Sequence, residues 1–514
     1  MMKTYKKVSC LLALSLTLLQ SCKENALEVA PLDRLSTSVF WKTESDVQAG
    51  LAACYAFLKT GGAPVSLFYP TGWDALTDDA FSQYPWDAAI QDISFSGPTP
   101  STGGYVYNMY ATSYQAIAAI NNLLANAGNI TMDATAKTKY LAEASFLRAY
   151  FYFQLAQLYG NVIITTSPES TTFKEPKSKS TRDEVLALVV QDLDKAIAGL
   201  PDQAYSDGHV VKGSAQTLKA RVLLFQKKYA EAAAISKAVI DGGKFKLSAN
   251  FSEIFYKPGQ TGNNEILFSV KNLPPNSYPV QGIDLVIGNW LALQPTLDLA
   301  SEYECKDGLP TSSSPLYNAA TPYENRDPRL RMTVFVDGDD DSKGWKKYNG
   351  SQSVFKAFTN SNTTGLAIKK TLDPTQSDPG YSTVSSQDIV LMRYAEVLLN
   401  YAEAENEANG PANAYAAINQ VRARVGMPAL PAGLNQAQMR DRIRHERRVE
   451  LALEGFRYFD LRRWGTAVQE LNGFEIVPGN TNLKKKIYKT TFDYWPIPQT
   501  EIDRTKGLVQ NSGY

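Results

Sequence analysis

Apolar residues recur at helical spacing along most of this chain. After Thr43 the stretch ESDVQAGLAACYAFLK puts Val47, Leu51, Cys54 and Leu58 on one face, the step of an amphipathic helix. Thr43 with Asp46 forms a capping-box pattern at its start. The same spacing predicts long helices from about Val106 to Ala127 and from Ala134 to Tyr159, the second stopped by Gly160. Thr181 with Glu184 opens another. KGSAQTLKARVLLFQKKYAEAAAISKAVIDGG reads as two helices broken near Lys227-Lys228. Arg393 to Gly426 reads as a further pair, turning at Asn409-Gly410-Pro411. Ala215, Ala220, Ala230, Ala232 and Ala233 recur in these pairs, and helix pairs of about 34 residues with small residues and aromatics at fixed offsets predict tetratricopeptide-like units. The units are scattered, not tandem.

Two regions break the pattern. Residues 244–386 are rich in Pro, Gly, Ser, Asn and Thr, with short strand-like pieces EILFSV (Glu265 to Val270) and MTVFVD (Met332 to Asp337). Residues 61–104 interrupt the first helices in the same way. Long irregular segments inside a compact protein usually carry function. The expected fold class is mostly α: a helix-pair scaffold with two large loop-rich insertions containing short strands.

The N-terminus adds a location. Lys3, Lys6 and Lys7 precede an apolar run from Val8 to Leu19, a length that suits an export signal and falls short of the roughly 20 residues a spanning helix needs. It ends Leu19-Gln20-Ser21-Cys22, which resembles the bacterial lipobox, whose cysteine is lipidated and becomes the first mature residue; the alternative is a plain signal peptide containing a cysteine. The expected organisation is a signal peptide over residues 1–21, a lipidated tether over 22–36 and one domain over 37–514. Cys54 lies on an apolar helical face, which points to a buried free thiol.

Composition excludes more than it assigns. Lys+Arg and Asp+Glu both number 52, so no global field steers nucleic acid or an acidic membrane. Two His and four Cys argue against a His- or Cys-rich metal site; no metal or cofactor is expected. The 28 Tyr and 7 Trp supply amphipathic aromatics for a core or for a wet gripping surface.

The C-terminal third carries the most distinctive text. In DIVLMRYAEVLLNYAEAE, Leu391, Ala395, Leu398 and Ala402 line one helical face. In IRHERRVELALEGFRYFDLRRW, Val449, Leu453 and Phe456 form a stripe, while Glu446, Arg447, Arg448, Glu450 and Glu454 interleave opposite charges, which read as salt-bridged packing of scaffold helices, each exposed pair worth mostly a few tenths of a kcal/mol, ~0.3–0.5. His445-Glu446 is no zinc-protease motif, since Val449 stands where the second His must be. These stretches, with INQVRARVGMPAL, AEASFLRAYFYFQLAQLYGNV, NRDPRL and the terminal YWPIPQTEIDRTKGLVQNSGY, resemble the SusD/RagB family of nutrient-binding outer-membrane lipoproteins. Two departures stand out: the end reads Asn511-Ser512-Gly513-Tyr514 where the family often has Asn-Pro-Gly-Tyr, and only Lys23-Glu24-Asn25 follows the cysteine where surface-exported members often carry an acidic run.

The resemblance implies tetratricopeptide-like helix pairs holding a loop-rich ligand face, and a lid on a SusC-type TonB-dependent transporter at the outer membrane. It implies capture of glycans, or of peptides in some members, with no catalysis. A structural lid with little affinity of its own is a further alternative. A sugar ring wants an aromatic face and polar groups at its rim. Residues 68–87, FYPTGWDALTDDAFSQYPWD, offer Tyr69, Trp73, Tyr84 and Trp86 with Asp74, Asp78 and Asp79; Asn289-Trp290 is a second candidate, and Trp345 with Tyr348 a third. Each aromatic has a duller alternative, since loop tryptophans commonly pin the loop to the body. Asp78 and Asp79 serve equally well as caps or turn formers. A glycosidase would need two carboxylates about 5–9.5 Å apart, and neither His209 nor His445 accompanies a nucleophile elbow. A binder is therefore expected, not an enzyme.

Overall fold

Helix Ala134–Tyr159 is rich in apolar and aromatic residues on every side of its C-terminal two thirds, and from Ala142 nearly every residue is buried, as expected of a helix surrounded by others. The computed structural model describes residues 40–59, 70–85, 88–168, 176–272, 282–339, 348–351, 354–355, 361–376, 379–380, 383 and 385–514. Cys22, Tyr69, Trp86 and Trp345 lie outside them. Around the central helix pack Glu44–Ala56, Gly104–Ala127 and Arg182–Gly199. Arg148 ties three of these together, donating to Asp192 at 2.7 and 2.9 Å and to Asn121 at 2.8 Å.

The array continues by neighbours: Arg182–Gly199 on Lys212–Phe225, then Tyr229–Asp241, then directly Tyr394–Asn409, which packs on Ala414–Arg424 and Gln436–Glu450. Ala232, Ala233 and Ala404 pack with Leu223 and Leu224 at the junction, and the small residues let the backbones approach. The scaffold thus runs straight across the 244–386 insertion as if it were absent.

Local signals explain the boundaries. Both capping boxes form, at Thr43/Asp46 and Thr181/Glu184, and Asp133 caps the central helix. Gly160 ends that helix at φ +68°, and a Cβ there would stand 2.9 Å from the Tyr494 ring, so only glycine fits. Lys227, at φ +59°, breaks the 212–241 pair. Cys54 and Cys305 are free and buried, and burial pushes the Cys54 thiol up to about 12. Among the described residues no helix is long and apolar enough to cross a membrane.

Among the described residues, short strands tie the insertions to the body and to each other, and one pair lies within the large insertion. In chain order they are β1 (Ala80–Ser82), β2 (Ile266–Val270), β3 (Leu293–Pro295), β4 (Val334–Phe335), β5 (Ala367–Ile368) and β6 (Ile389–Arg393). β2 and β6 pair antiparallel, Ile266 with Arg393 and Val270 with Ile389, closing the neck of the large insertion. β1 pairs with β3, joining the two insertions. β4 pairs with β5.

Three expectations are corrected here. Leu391 lies in β6, not on a helical face; the helix starts at Tyr394 because the ladder to β2 takes the preceding residues. Met332 and Thr333 belong to a short helix, Arg329–Thr333, so only Val334 and Phe335 form strand. The stripe through 443–464 is not one helix. It ends at Glu450, the chain turns through Leu453 at φ +63° and Gly455 at φ +78°, and Arg457–Trp464 starts afresh. Gly455 abuts the first insertion so closely that a Cβ would lie 2.6 Å from Pro70 O.

The charges of this stretch are corrected too: they are interior. Glu450 is fully buried and pairs with Arg393 at 2.5 Å, Arg424 at 2.5 Å and Arg329 at 2.9 Å. Glu446 holds Arg329 at 2.6 Å and Arg422 at 2.8 Å, and Glu454 holds Lys370 at 2.6 Å and Arg393 at 2.7 Å. Glu265, at the start of the large insertion, pairs with Arg393 and Arg424. The rings of Phe251 and Phe255 cover Lys370 and Arg393 at 4.8–5.7 Å. Burial opposes the Glu450 charge, but three guanidinium groups outweigh it and hold the carboxyl well below its usual range. Glu450→Gln leaves those cations short of their shared anion, and its expected cost is about 3–5 kcal/mol, read as the shift in a urea unfolding midpoint; a shift no larger than that of an exposed Glu→Gln control would refute it.

A second polar junction titrates. Tyr55 donates to Glu143 at 2.7 Å, and His209 Nδ1 meets the same carboxylate oxygen at 2.7 Å. The hydrogen bond to Glu143 raises the His209 pKa above its ordinary 6.5. The folded-state value exceeds the unfolded one, so the pair contributes fully below the ordinary value and fades as pH rises through the raised one. His209→Ala should therefore lower the melting temperature more at about pH 5.5 than at about pH 9; equal effects at both would show a ring held neutral.

Candidate functional site

The two insertions bring their aromatics to one place through β1 and β3. Ala80 pairs with Pro295 and Ser82 with Leu293, and the Gln83 amide donates to Ala292 O at 2.9 Å. The next residue, Tyr84, donates its hydroxyl to Trp290 O at 3.1 Å. Both side chains are half-buried and pack on Leu285, Val286 and Ala292. Trp290 is presented by a tight turn: the Asp284–Asn289 π-helical segment closes on it, the Trp290 amide donates to Leu285 O at 2.9 Å, and Leu291 follows at φ +53°.

An amide and hydroxyl frame adjoins the β1–β3 pair. Gln294 Nε2 donates to Gln83 Oε1 at 2.6 Å, while Gln294 Oε1 accepts from the Thr363 and Thr364 amides at 2.9 and 3.1 Å. The Thr363 hydroxyl donates to Gln83 at 3.0 Å. These groups fix one another across more than 200 residues of sequence. Aromatic faces next to neutral amides and hydroxyls suit an uncharged, hydroxyl-rich ligand.

The remaining sequence candidates turn inward. Trp73 is 5% exposed; its ring stacks on Tyr105 at 4.6 Å and on Trp495 at 5.7 Å, with Phe459 at 5.1 Å. It pins its loop to the scaffold. Asp74 is fully buried and accepts from the Gly455 amide at 2.6 Å, and burial raises its pKa well above the usual range. Asp78 accepts from Arg457 at 2.7 and 3.0 Å and pairs with Arg448 at 3.0 Å; Asp79 takes Arg448 Nε at 2.8 Å. Burial works against both charges. At Asp78 the two guanidinium groups win and lower the pKa; at Asp79 burial wins and raises it. Asn289 is buried, its amide 3.4 Å from Pro379 O. Tyr348 is buried against Asn362. These side chains are spent on internal contacts, which the sequence could not distinguish from forming a ligand face.

Three contributors went unrecognised as parts of this site. Gln294 and Thr363 carry no local signal, since their partner Gln83 is remote in sequence. Lys486 is fully buried behind the 75–80 turn, its ammonium donating to Ala75 O and Ala80 O, each at 2.8 Å, and to Thr77 O. A separate, open cleft of about 430 Å³ is lined by Asn161, Arg182, Asp183, Thr490, Tyr494 and Asn511 and includes none of the sequence candidates.

Comparison with known proteins matches this architecture. Residues 259–514 match the SusD family, and residues 32–224 match a family described as starch-binding associating with outer membrane. A SusD-like protein of Formosa agariphila is 29% identical, with both chains covered in full. A SusD-like carbohydrate binding protein from Bacteroides fragilis is 26% identical, covering 90% of this chain and 99% of its own, with a TM-score of 0.79. A laminarin binding SusD-like protein, 24% identical, shares the fold with a TM-score of 0.69, over 92% of this chain and 100% of its own. A helix-pair scaffold closed on two insertions, matched over nearly its whole length, places this chain in the SusD/RagB family.

Proposed function

We propose that this chain is a non-catalytic glycan-binding lipoprotein of the bacterial outer membrane. In this reading acyl chains on Cys22 anchor it on the exterior, and it hands oligo- or polysaccharide to a SusC-type TonB-dependent transporter. The observation that carries the binding half is the meeting of Tyr84 and Trp290, one from each insertion, beside the Gln83–Gln294–Thr363 frame. Its carbohydrate-binding and laminarin-binding structural relatives support the ligand class. Trp86 and Tyr69, which lie outside the described residues, stay as proposed ligand contacts; Trp73, Asp74, Asp78, Asp79 and Asn289 act from behind the face.

The reading asks for modest affinity. A polymer touches several weak subsites, and tethering beside a channel raises effective concentration. One shallow aromatic platform then captures without trapping, which a protein that must release its cargo requires.

Isothermal titration against laminarin, starch, host glycans and peptides tests it. Trp290→Ala or Tyr84→Ala should weaken binding of the responding glycan about tenfold, roughly 1.4 kcal/mol, with little change in melting temperature. Trp73→Ala should instead cost about 3–5 kcal/mol of stability, because it empties an interior aromatic stack. Loss of binding in Tyr494→Ala alone would move the site to the open cleft, and a response to peptides alone would make the protein a peptide binder. Cys22→Ala, expressed in a native host, should shift the protein from the membrane to the soluble envelope fraction; unchanged membrane association would refute the anchor.

A further inference from the structure

The 75–80 turn points three backbone carbonyls at one position: Ala75 O, Thr77 O and Ala80 O. Carbonyls drawn from a short loop, with carboxylates nearby, are how a protein surrounds a hard cation such as calcium. Here the cation at the centre is the ammonium of Lys486, which is 411 positions away from Ala75 in sequence and 1% exposed. Its backbone is held independently: the Gly473 amide donates to Lys486 O at 2.8 Å and the Lys486 amide to Phe474 O at 2.9 Å. The charge is thus delivered from a fixed point.

Three acceptors match three N–H donors. A neutral amine has only two, so the protonated form alone satisfies the turn. Burial pushes Lys486 below the ordinary lysine value, while Asp78, Asp79 and Asp74 favour the charge. Arg448 and Arg457 already bond Asp78 and Asp79 directly, which leaves the carbonyls to Lys486. The turn also closes on itself, Thr77 Oγ1 donating to Asp74 O at 2.7 Å and accepting from the Asp79 amide at 3.0 Å.

The turn leads straight into the candidate ligand face. Ala80, whose carbonyl Lys486 holds, is the first residue of β1 and pairs with Pro295; the Thr296 amide donates to Asp79 O at 3.0 Å, and its hydroxyl to Asp78 O. We propose that Lys486 is a built-in cation standing where a structural metal ion could, a positioning residue that sets the register of β1 on β3 and so delivers Tyr84 to Trp290. Its consequence for binding rests on the reading of that pair as the ligand face; its effect on the turn does not.

Hydrogen–deuterium exchange of the full chain separates the two. In Lys486→Met the Gln83 and Thr296 amides, which bond across β1–β3, should exchange about tenfold faster, while amides of the 134–159 helix keep their protection. Unchanged exchange at Gln83 and Thr296 would overturn the proposal. So would equal loss in that helix, or failure of the variant to fold, since either makes Lys486 a general core residue. Lys486→Ala leaves room for a free amine: n-propylammonium should restore protection at both amides, and n-propanol should not. If the ammonium does no better than the alcohol, charge is not what holds the turn and the proposal fails. Laminarin titration is run alongside. Local loosening with no laminarin binding in either wild type or variant faults the ligand reading for that glycan and leaves the positioning role standing.

Discussion

Glu450 sits where four parts of the chain converge. Its carboxylate takes Arg329 from within the large insertion, Arg393 from just beyond its end and Arg424 from the last scaffold pair, while Glu446 and Glu454 on either side hold Arg422 and Lys370. Loops without long strands or helices cannot bury a core of their own. They need something that specifies where they land. Apolar packing is tolerant of small shifts; a buried guanidinium is not, because missing its carboxylate by an ångström or two exposes each partner to the full cost of desolvation. Such networks are weak sources of net stability, but a displaced alternative is heavily penalised. Here that penalty fixes the base of the loop-rich face to the helices.

The same device recurs one layer out. Arg448 and Arg457 leave the same helix–turn–helix and grip Asp78 and Asp79 of the first insertion, and the Gly455 turn between them touches Pro70 and donates to Asp74. One short stretch, residues 446–457, therefore seats both insertions. This accounts for its dense mixed charge better than surface solubility does, and for a glycine at a place where any side chain would collide with the opposing backbone.

What could be read along the chain was whatever a few neighbouring residues decide. Thr43, Thr181, Gly160 and the Asn409-Gly410-Pro411 turn set helix ends through contacts within four positions, and spacing revealed them. The family resemblance named the scaffold. Contacts made at long range stayed hidden. Residues 389–393 have the right apolar spacing to extend a helix, and only β2, more than a hundred residues earlier, makes them a strand. The charges of 446–454 look like any solvated helix face until their partners arrive from residues 329, 393 and 424. Trp73 and Tyr84 look alike in a loop rich in aromatics, yet one is sealed between Tyr105 and Trp495 and the other is half in water.

That last contrast follows from how the loop is held. Asp78 and Asp79 face the arginines, Asp74 takes the Gly455 amide and Lys486 lies behind Ala75–Ala80, so every acidic side chain of residues 70–80 is committed inward. The chain then enters β1 and passes to the other insertion's edge, where the partners on offer are amides and hydroxyls. Charge is spent in the foundation and neutral polar groups are left at the face. A surface built this way presents aromatic rings on a rigid mount with no fixed charge among its described amide and hydroxyl members. On the proposed reading, binding such a face would cost little reorganisation, and shallow contact would let the ligand leave. Those two properties together are what the proposed carrier role needs and what a deep, charged, tightly closing pocket would deny it.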